Sequence, residues 1–386
     1  MTRYSSRRCA SVGAIVLGAV ALAGCAGGAP AATSELSAAT AEEPADLEAL
    51  ISAAQEEGPI TIYDGTSKVE EMAASFTEKY GIEATGVKSD AAETIEKVTR
   101  EAQAGNVVGD VVAISDMPAV NNQLLPNDFV FSWIPADLEA DIDEGQRDPL
   151  VVISDPSMWT YNSEVYDVCP VDNVWQLTES DWAGNVVMQD PVGNSGALDW
   201  FSQMAQFGDE ELREAYAEEF GEELDTEQPS AAAEWVSRLA ANDPLLTKSS
   251  EEASEAIGAL GQTDPPVGLI SSAKYRNNDE KGYGLEVCEG LNPWVGEAAP
   301  KALMVASGSE NPNAAKLFVH FALTEEGIAP QIADGKISSN LTIEQPDDPA
   351  RVGEFRDDLF FAHGDGFDTD WADREVWQDL WRTSRG

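Results

Sequence analysis

The chain has few basic residues. Its 386 residues include 70 aspartates and glutamates but only 23 lysines and arginines, so the formal net charge is −47 at pH 7. A surface of this sign disfavours nucleic acid and anionic lipid as partners, and it keeps copies of the molecule apart. We therefore expect a monomer with no nucleic-acid partner. Any anion must be bound by a locally arranged pocket that works against the overall field.

Histidine and the common catalytic motifs are also scarce. The only histidines are His320 and His363, and His320 falls in an apolar helical segment where a packed side chain is expected. No His-Glu-x-x-His, Gly-x-Ser-x-Gly or Cys-x-x-Cys pattern occurs, so zinc protease, serine hydrolase and thiol-redox functions have no direct support. We expect a binding protein that needs no catalytic residue, cofactor or metal. The alternative from another class is a secreted enzyme.

Long apolar runs are missing except at the start. The run Val12–Ala23 follows three arginines, is too short for a stable membrane span, and ends in Leu-Ala-Gly-Cys at Cys25. This pattern resembles a bacterial lipobox and predicts a signal peptide over residues 1–24, with Cys25 carrying the lipid that anchors the protein outside the cell membrane. An ordinary signal peptide with a chance cysteine is the alternative. Residues 25–46, rich in small and polar residues, are predicted to be a flexible tether.

Cysteine is limited to four residues. Cys9 leaves with the signal peptide and Cys25 takes the lipid, so Cys169 and Cys288 remain. In an exported protein an even pair favours a disulfide over a metal site, and two free buried thiols are the alternative. A bridge would place these two cysteines side by side in one lobe.

Length and pattern predict an α/β fold with two lobes. A chain of 386 residues, 43% of them hydrophobic, exceeds what one core usually serves. Residues 46–58 have helical spacing, "ITIYDG" alternates like a strand, and the next segment is an amphipathic helix in which Ser67 and Glu70 are spaced as a capping box. Further strands are predicted in "VVGDVVAIS", "DPLVVIS", "GNVVMQDP" and "PPVGLISS", and a further helix in "NPNAAKLFVHFAL".

Polar loops follow these strands at Thr66, Ser115, Asn194 and Ser271. Ligands of open α/β sheets bind outside the carboxyl ends of the strands, so these four loops are expected to share one cleft. The acidic tail near Asp365 could chelate calcium, but it lacks a complete calcium-binding loop. We expect instead a C-terminal helix from Trp371 onward that packs Trp377 and Trp381 on a lobe.

Six segments, in order, resemble the extracellular solute-binding proteins of bacterial ABC importers, in particular the group of ferric-iron, phosphosugar and phosphonate binders. They are "AAQEEGPITIYDG", "GDVVAISDM", "WTYNSEVY", "WAGNVVMQDPVGNSG", "PPVGLISSAKYR" and "NPNAAKLFVHFALTEEGI". The resemblance implies a periplasmic-binding-protein-like fold of type II, with two crossovers, a cleft ligand and a membrane permease as partner. We place lobe 1 at 47–152 and 293–340, lobe 2 at 153–292, and a segment packed on a lobe at 341–386.

Ligand contacts are expected from the family's binding loops. The candidates are Thr66, Ser67, Ser115, Asp116, Trp159, Tyr161, Asn194, Ser195, Gly196, Ser271, Ser272, Lys274 and Tyr275. Hydroxyls and helix N-termini suit a phosphate or carboxylate, and Lys68, Lys274 or Arg276 would supply counter-charge. Strand alternation puts Lys274 and Arg276 on the same side of the strand, and both cannot easily point into the cleft. One of them is therefore expected to be a solvated surface charge. Trp159 is as well explained as hinge core, and Ser67 as a helix cap.

The loop "GLISSAKYR" decides between two ligands. Ferric binders of this group typically show two adjacent tyrosines there, whereas Tyr275 stands alone between Lys274 and Arg276. Fe(III) prefers anionic oxygen ligands, and a neighbouring lysine opposes that requirement. We therefore predict a small anionic organic solute, with ferric iron bound through Tyr275 and Asp116 as the alternative.

Overall fold

Strands and helices alternate through residues 44–346 and 348–386, the part of the chain that this computed structural model describes. The strands are β1 (Ile60–Asp64), β2 (Ala84–Lys88), β3 (Val111–Ile114), β4 (Val130–Phe131), β5 (Val151–Asn162), β6 (Val186–Gln189), β7 (Leu245–Thr247), β8 (Val267–Ser271), β9 (Leu285–Val287), β10 (Gly296–Ala306), β11 (Ile337–Ser338) and β12 (Leu359–Phe361). The predicted signal peptide, Cys25 and most of the tether lie outside the described residues.

The helices are α1 (Leu47–Ala54), α2 (Lys68–Tyr80), α3 (Ala91–Ala104), α4 (Met117–Ala119), α5 (Ser195–Phe207), α6 (Asp209–Phe220), α7 (Ala231–Ala241), α8 (Ser250–Gly258), α9 (Asn277–Lys281), α10 (Pro312–Ala322), α11 (Glu325–Ile332), α12 (Val352–Phe355) and α13 (Phe367–Arg385). None of them is long and apolar enough to cross a bilayer, as far as the described residues go. The predicted α/β class is confirmed.

One sheet connects the two halves of the molecule, in the order β2-β1-β3-β10-β5-β8-β6-β7. The strands β1, β2 and β3 are parallel to one another, and so are β6, β7 and β8. The two longest strands, β5 and β10, form antiparallel pairs in the middle of this order: β10 with β3, β5 with β8, and the two with each other. They are the two crossovers between the halves, which we call lobe 1 (the β1–β3 side) and lobe 2 (the β6–β8 side).

Within the described residues, three apolar clusters form the core. One, with Phe76, Phe318 and Phe321, packs α2 and α10 on one face of the lobe 1 sheet, and a second, with Ile95 and Val98, packs α3 on the other face. The third fills lobe 2 with large aromatic side chains: Trp159, Trp175, Trp200, Trp235, Trp377 and Trp381. Each lobe therefore has its own core, and the crossovers connect the two.

The start of α2 differs from the prediction. The apolar stripe of this helix is buried and it ends at Gly81, which has a φ of 71°. The capping box is wrong, because Ser67 has helical backbone angles and its side chain caps no backbone group. A capping side chain needs an extended backbone at the N-cap, as Asp90 has before α3.

Two other predictions concern lobe 2 and the C-terminus. Cys169 and Cys288 form the predicted disulfide, with an S–S distance of 2.07 Å; Cys288 belongs to the lobe 2 core and Cys169 packs against it. The C-terminal helix begins at Phe367, one turn before the predicted Trp371. The predicted residue boundaries of the lobes remain a prediction.

Candidate functional site

A cleft of about 300 Å³ opens where the two lobes meet. The ends of β3, β6 and β8 reach it through Ser115, Gln189 and Ser271, and the start of α5 contributes residues 194–197. Its floor comes from the crossovers, with Asp155 and Ser157 on β5 and Glu297 and Ala299 on β10. Strand ends from both lobes thus face one cavity, the geometry that open α/β sheets use for ligands.

Six of the candidate residues line this cleft: Ser115, Asp116, Asn194, Ser195, Gly196 and Ser271. The side chain of Asn194 caps α5 by accepting a hydrogen bond from the Gly196 backbone at 3.2 Å. The cap leaves the first turn of a 13-residue helix at the wall of the cavity. Whether these residues touch a ligand remains a prediction.

The loop after β1 lies elsewhere. Thr66 accepts a hydrogen bond from Gln331 Nε2 at 3.2 Å, and its backbone N–H donates to Asp64 at 3.0 Å. Lys68 pairs with Glu71 at 3.2 Å on the surface. Thr66 and Ser67 are not among the residues that form the cleft.

Trp159 and Tyr161 on β5 point into the lobe 2 core. Trp159 is 1% exposed and meets the ring of Trp235 edge-on, with 6.4 Å between ring centroids. Tyr161 is buried as well, and burial raises its pKa above the ordinary value. This placement corresponds to the hinge-core interpretation of Trp159.

The "GLISSAKYR" loop contributes only its Leu269 and Ser271 to the cleft. Residues Ser272–Arg276 form a 3₁₀ turn, so the strand alternation expected for Lys274 and Arg276 is wrong. The hydroxyl of Ser272 donates to the Gly335 carbonyl at 2.8 Å, and Arg276 pairs with Asp334 at 2.7 Å. These two contacts tie the loop to the segment that precedes β11.

Lys274 and Tyr275 are also engaged. Lys274 pairs with Glu251 at 3.0 Å, and hydrogen bonds from Lys281 and Lys274 lower the pKa of Glu251 to about 2. Tyr275 is 1% exposed, and its hydroxyl lies 2.6 Å from Thr160 Oγ1. Burial raises the pKa of Tyr275, which opposes formation of a phenolate.

Among the cleft residues that the sequence reasoning missed are these five: Asp155, Ser157, Asp199, Trp200 and Glu297. Three of them lie within the crossover strands and the other two on α5, whereas the strand-end rule points only to loops after strands. A signal was present in "VVISDPSMW", where a charged residue interrupts an otherwise buried strand. An acid at such a position needs a partner or faces a cavity.

Asp155 and Glu297 have opposite protonation preferences. Lys336 donates to Asp155 at 2.6 Å, and although burial alone would raise the pKa of Asp155, Lys336 and the more distant Lys301 lower it below the usual range. Burial and the nearby charge of Asp155 raise the pKa of Glu297 to about 8, against a smaller opposing effect of its hydrogen bond with Ser157. At pH 7 the floor of the cleft therefore holds one paired carboxylate and one carboxylic acid.

Asp116 and Asp199 share one arginine. The guanidinium of Arg374 lies 2.6 Å from Asp116 Oδ1 and 2.6 Å from Asp199 Oδ2. Burial raises the pKa of Asp199 to about 6 in spite of Arg374, and the neighbouring acids Asp116 and Asp370 add to the rise. All four acids of the cleft are thus compensated, by Arg374, by Lys336 or by a proton. No group of three or more His, Cys, Asp or Glu side chains within 44–346 and 348–386 is arranged to hold a metal ion.

Solved structures identify the class to which this fold belongs. Iron-bound HitA from Pseudomonas aeruginosa matches with a TM-score of 0.63 and 17% identity over 85% of this chain and 99% of that chain. AfuA from Actinobacillus pleuropneumoniae, a periplasmic binding protein with fructose-6-phosphate bound, gives 0.59 and 19% over 85% and 98%. The periplasmic binding protein P5PA gives 0.58 and 16% over 86% and 100%. The predicted two-lobed periplasmic-binding-protein fold is confirmed.

The family model for bacterial extracellular solute-binding proteins matches residues 71–356, and the chain belongs to that family. Its members bind solutes for import. A search of the curated proteins gave no significant match.

Proposed function

We propose that this protein is the lipid-anchored substrate-binding component of an ABC importer, held outside the cell membrane through Cys25. It captures a small solute between its lobes and delivers the closed form to a membrane permease. The cleft is the observation that carries this proposal: strand ends of both lobes and both crossovers border one cavity of about 300 Å³. A ligand held by both lobes favours their closed arrangement, which is how hinged binding proteins signal that they are loaded.

The solute is a small anionic organic molecule, of a phosphorylated or phosphonate type. The first turn of α5, with Ser195 and Gly196, borders the cleft, and the positive end of the helix dipole there favours an anionic group. The hydroxyl of Ser115 lines the same cavity and can donate to such a group, whereas those of Ser157 and Ser271 already bond to Glu297 and Asp155. Glu297 supports this assignment because a carboxylic acid is a hydrogen-bond donor rather than a second negative charge.

Ferric iron is the competing ligand. HitA is iron-bound and AfuA holds fructose-6-phosphate, but likenesses below 20% identity concern the fold and do not choose between these ligands. The buried, hydrogen-bonded Tyr275 weighs against iron, because it removes the one phenolate that the sequence offered in this loop. The carboxyl groups of the cleft favour iron, yet each of them already has a cation or a proton.

A thermal-shift screen tests both parts of the proposal. The purified protein, stripped of ligand, is melted with phosphosugars, phosphonates, thiamine-type compounds and ferric salts, since a ligand that binds the folded state raises the melting temperature. We expect a phosphorylated or phosphonate compound to raise it and Ser195→Ala to reduce that shift. Ser180→Ala, an exposed serine of lobe 2, serves as the matched control. A shift with iron alone would refute the anionic solute, and steady turnover of any compound would refute a pure binding function.

A further inference from the structure

The C-terminal helix α13 contacts both lobes. Near its start, Phe367 belongs to the apolar cluster on the α3 face of lobe 1, and Trp371 packs against the same cluster. Two turns later, Trp377 and Trp381 are buried in the lobe 2 core, where Trp381 stacks on Phe201 of α5 with 5.9 Å between ring centroids. The helix is therefore a further connection between the lobes, besides the crossovers β5 and β10.

Arg374 lies between these two contact regions and reaches one carboxylate of each lobe. Asp116 follows β3 in lobe 1, and its two oxygens lie 2.6 and 3.3 Å from the guanidinium. Asp199 lies on α5 in lobe 2 and receives hydrogen bonds of 2.7 and 2.6 Å from Nε and Nη2. Both carboxylates are bound bidentately, and such a planar fork is specific to arginine.

The surroundings make this bridge strong. The side chains of Arg374, Asp116 and Asp199 are only 17%, 14% and 14% exposed, so solvent and salt screen their attraction less than that of a surface pair. The centroid of the Trp371 ring lies 5.1 Å from Cζ of Arg374, so the ring face also holds the guanidinium in place, in addition to the two carboxylates. Asp116 is itself held in place, because it also accepts a hydrogen bond from the Ala119 backbone at 3.0 Å.

The bridge opposes a repulsion that follows from the overall charge. With a net charge of −47, two acidic lobes repel each other across the cleft that separates them. Arg374 is one of only 23 basic residues, and it lies where a carboxylate from each lobe borders the cavity. Lobe separation cannot increase at this end of the cleft unless one of the two bidentate contacts breaks.

We propose that Arg374 is a positioning residue of the cleft: it holds Asp116 and Asp199 together and thereby sets the separation of the two lobes before any solute binds. The proposal rests on the proposed function only in that the solute is taken up between the lobes. It assigns to α13 the role of a clamp at one end of the cleft, opposite in effect to the electrostatic repulsion. Solute exchange then requires the clamp to open.

The test measures the radius of gyration of the protein without solute, by small-angle X-ray scattering. Arg374→Gln is compared with Arg382→Gln, which removes the same charge from an exposed position of the same helix. We expect Arg374→Gln to increase the radius, most strongly at low salt where repulsion is least screened, and Arg382→Gln to leave it unchanged. Arg374→Lys is expected to restore only part of the compaction, because an ammonium cannot bind both carboxylates bidentately.

Asp199→Asn provides an independent variant in case Arg374→Gln does not fold, since it leaves the contact with Asp116 in place and breaks only the lobe 2 side. It is expected to increase the radius as well, and circular dichroism verifies that each variant keeps its secondary structure. An unchanged radius in either folded variant overturns the proposal. No solute is present, so this result is independent of whether the ligand screen succeeds.

Discussion

The hydroxyl of Tyr275 lies 2.6 Å from Oγ1 of Thr160, inside the core of lobe 2. Thr160 in turn donates to the Met158 carbonyl at 2.9 Å, so Tyr275 is the donor in the pair. This contact removes Tyr275 from the ligand contacts that its loop suggested. The tyrosine at the expected metal-binding position is part of the protein interior.

Tyr275→Phe should therefore affect stability and leave binding unchanged. Loss of one buried hydrogen bond is expected to lower the free energy of unfolding by about 1 kcal/mol, because Thr160 keeps its contact with the Met158 carbonyl. Urea unfolding measures this change, and isothermal titration with ferric salts or the solute from the screen measures binding. Tyr283→Phe, at a half-buried tyrosine of the same lobe, is the control. A tenfold loss of affinity in Tyr275→Phe would contradict this prediction, because it would mean that the Tyr275 hydroxyl contributes to ligand binding.

The Cys169–Cys288 disulfide should stabilise lobe 2 without contributing to the cleft. The bond closes a loop across a sequence separation of 119 residues, and removing such a bond typically costs about 2 to 5 kcal/mol. We expect the double variant Cys169→Ala/Cys288→Ala to melt at a lower temperature while it binds the screened solute with unchanged affinity. Reductant should lower the melting temperature of the parent protein and have no effect on the double variant. Equal melting temperatures of the two proteins in the absence of reductant would contradict this prediction.

Periodicity was sufficient to predict most of the fold. The apolar spacing in α2 and α10 and the buried runs of β3, β6 and β8 are local patterns, and the structure places these elements where the patterns occur. Helix starts depend on finer detail, which is why the capping box at Ser67 failed while the apolar stripe behind it held. The backbone angles of a single residue decide whether its side chain can cap the helix, but they do not change the apolar stripe of the helix.

The cleft was harder to predict because it depends on contacts between distant segments. The strand-end rule reached Ser115, Asn194 and Ser271 because each follows or ends a strand of the sheet. It could not find Glu297, whose neighbours in the cleft come from β5, well over a hundred residues earlier. It also could not anticipate that Arg276 pairs with Asp334, because the local sequence around Arg276 does not indicate that partner.

Lys336→Met should destabilise the protein by leaving Asp155 without its main partner. Lys336 is almost fully buried, and the side chain of Asp155 is 32% exposed at the cleft. Breaking a fully buried pair costs about 3 to 5 kcal/mol. We expect about 2 to 3 kcal/mol here, because Asp155 stays partly exposed to solvent and keeps its hydrogen bond from the Ser271 hydroxyl. Urea unfolding at pH 7 measures the loss, with Lys88→Met at an exposed position as the control.

Two further measurements assign that loss to the ion pair. Adding Asp155→Asn to Lys336→Met should restore part of the stability, because the uncompensated charge is removed. Lys336 lowers the pKa of Asp155, so the pair stabilises the fold above the ordinary pKa of an aspartate, and this contribution disappears as the pH falls through the lowered value. The difference between Lys336→Met and the parent protein should therefore shrink in acid. A constant difference at every pH would mean that lost packing, rather than lost charge, explains the effect.

Glu297 should make stability fall as the pH rises from about 5 to 8. Its pKa is raised from the ordinary 4.5 to about 8, so in this range the unfolded chain loses a proton that the folded protein keeps. The free energy of unfolding then decreases by up to about 1.4 kcal/mol per pH unit from this group, and the decrease stops above its folded pKa. Urea unfolding at several pH values should show this slope reduced in Glu297→Gln and preserved in Glu223→Gln, an exposed glutamate.

The same proton decides the sign of the pH dependence of binding. An anionic solute meets a hydrogen-bond donor when Glu297 is protonated and a negative charge when it is not, so its affinity should fall as the pH rises through 8. A cation would show the opposite trend, because it favours the ionised form and releases the proton on binding. Titration calorimetry in buffers of different ionisation enthalpy separates the two cases: proton uptake or no exchange fits an anion, whereas proton release that disappears in Glu297→Gln would overturn the anionic assignment.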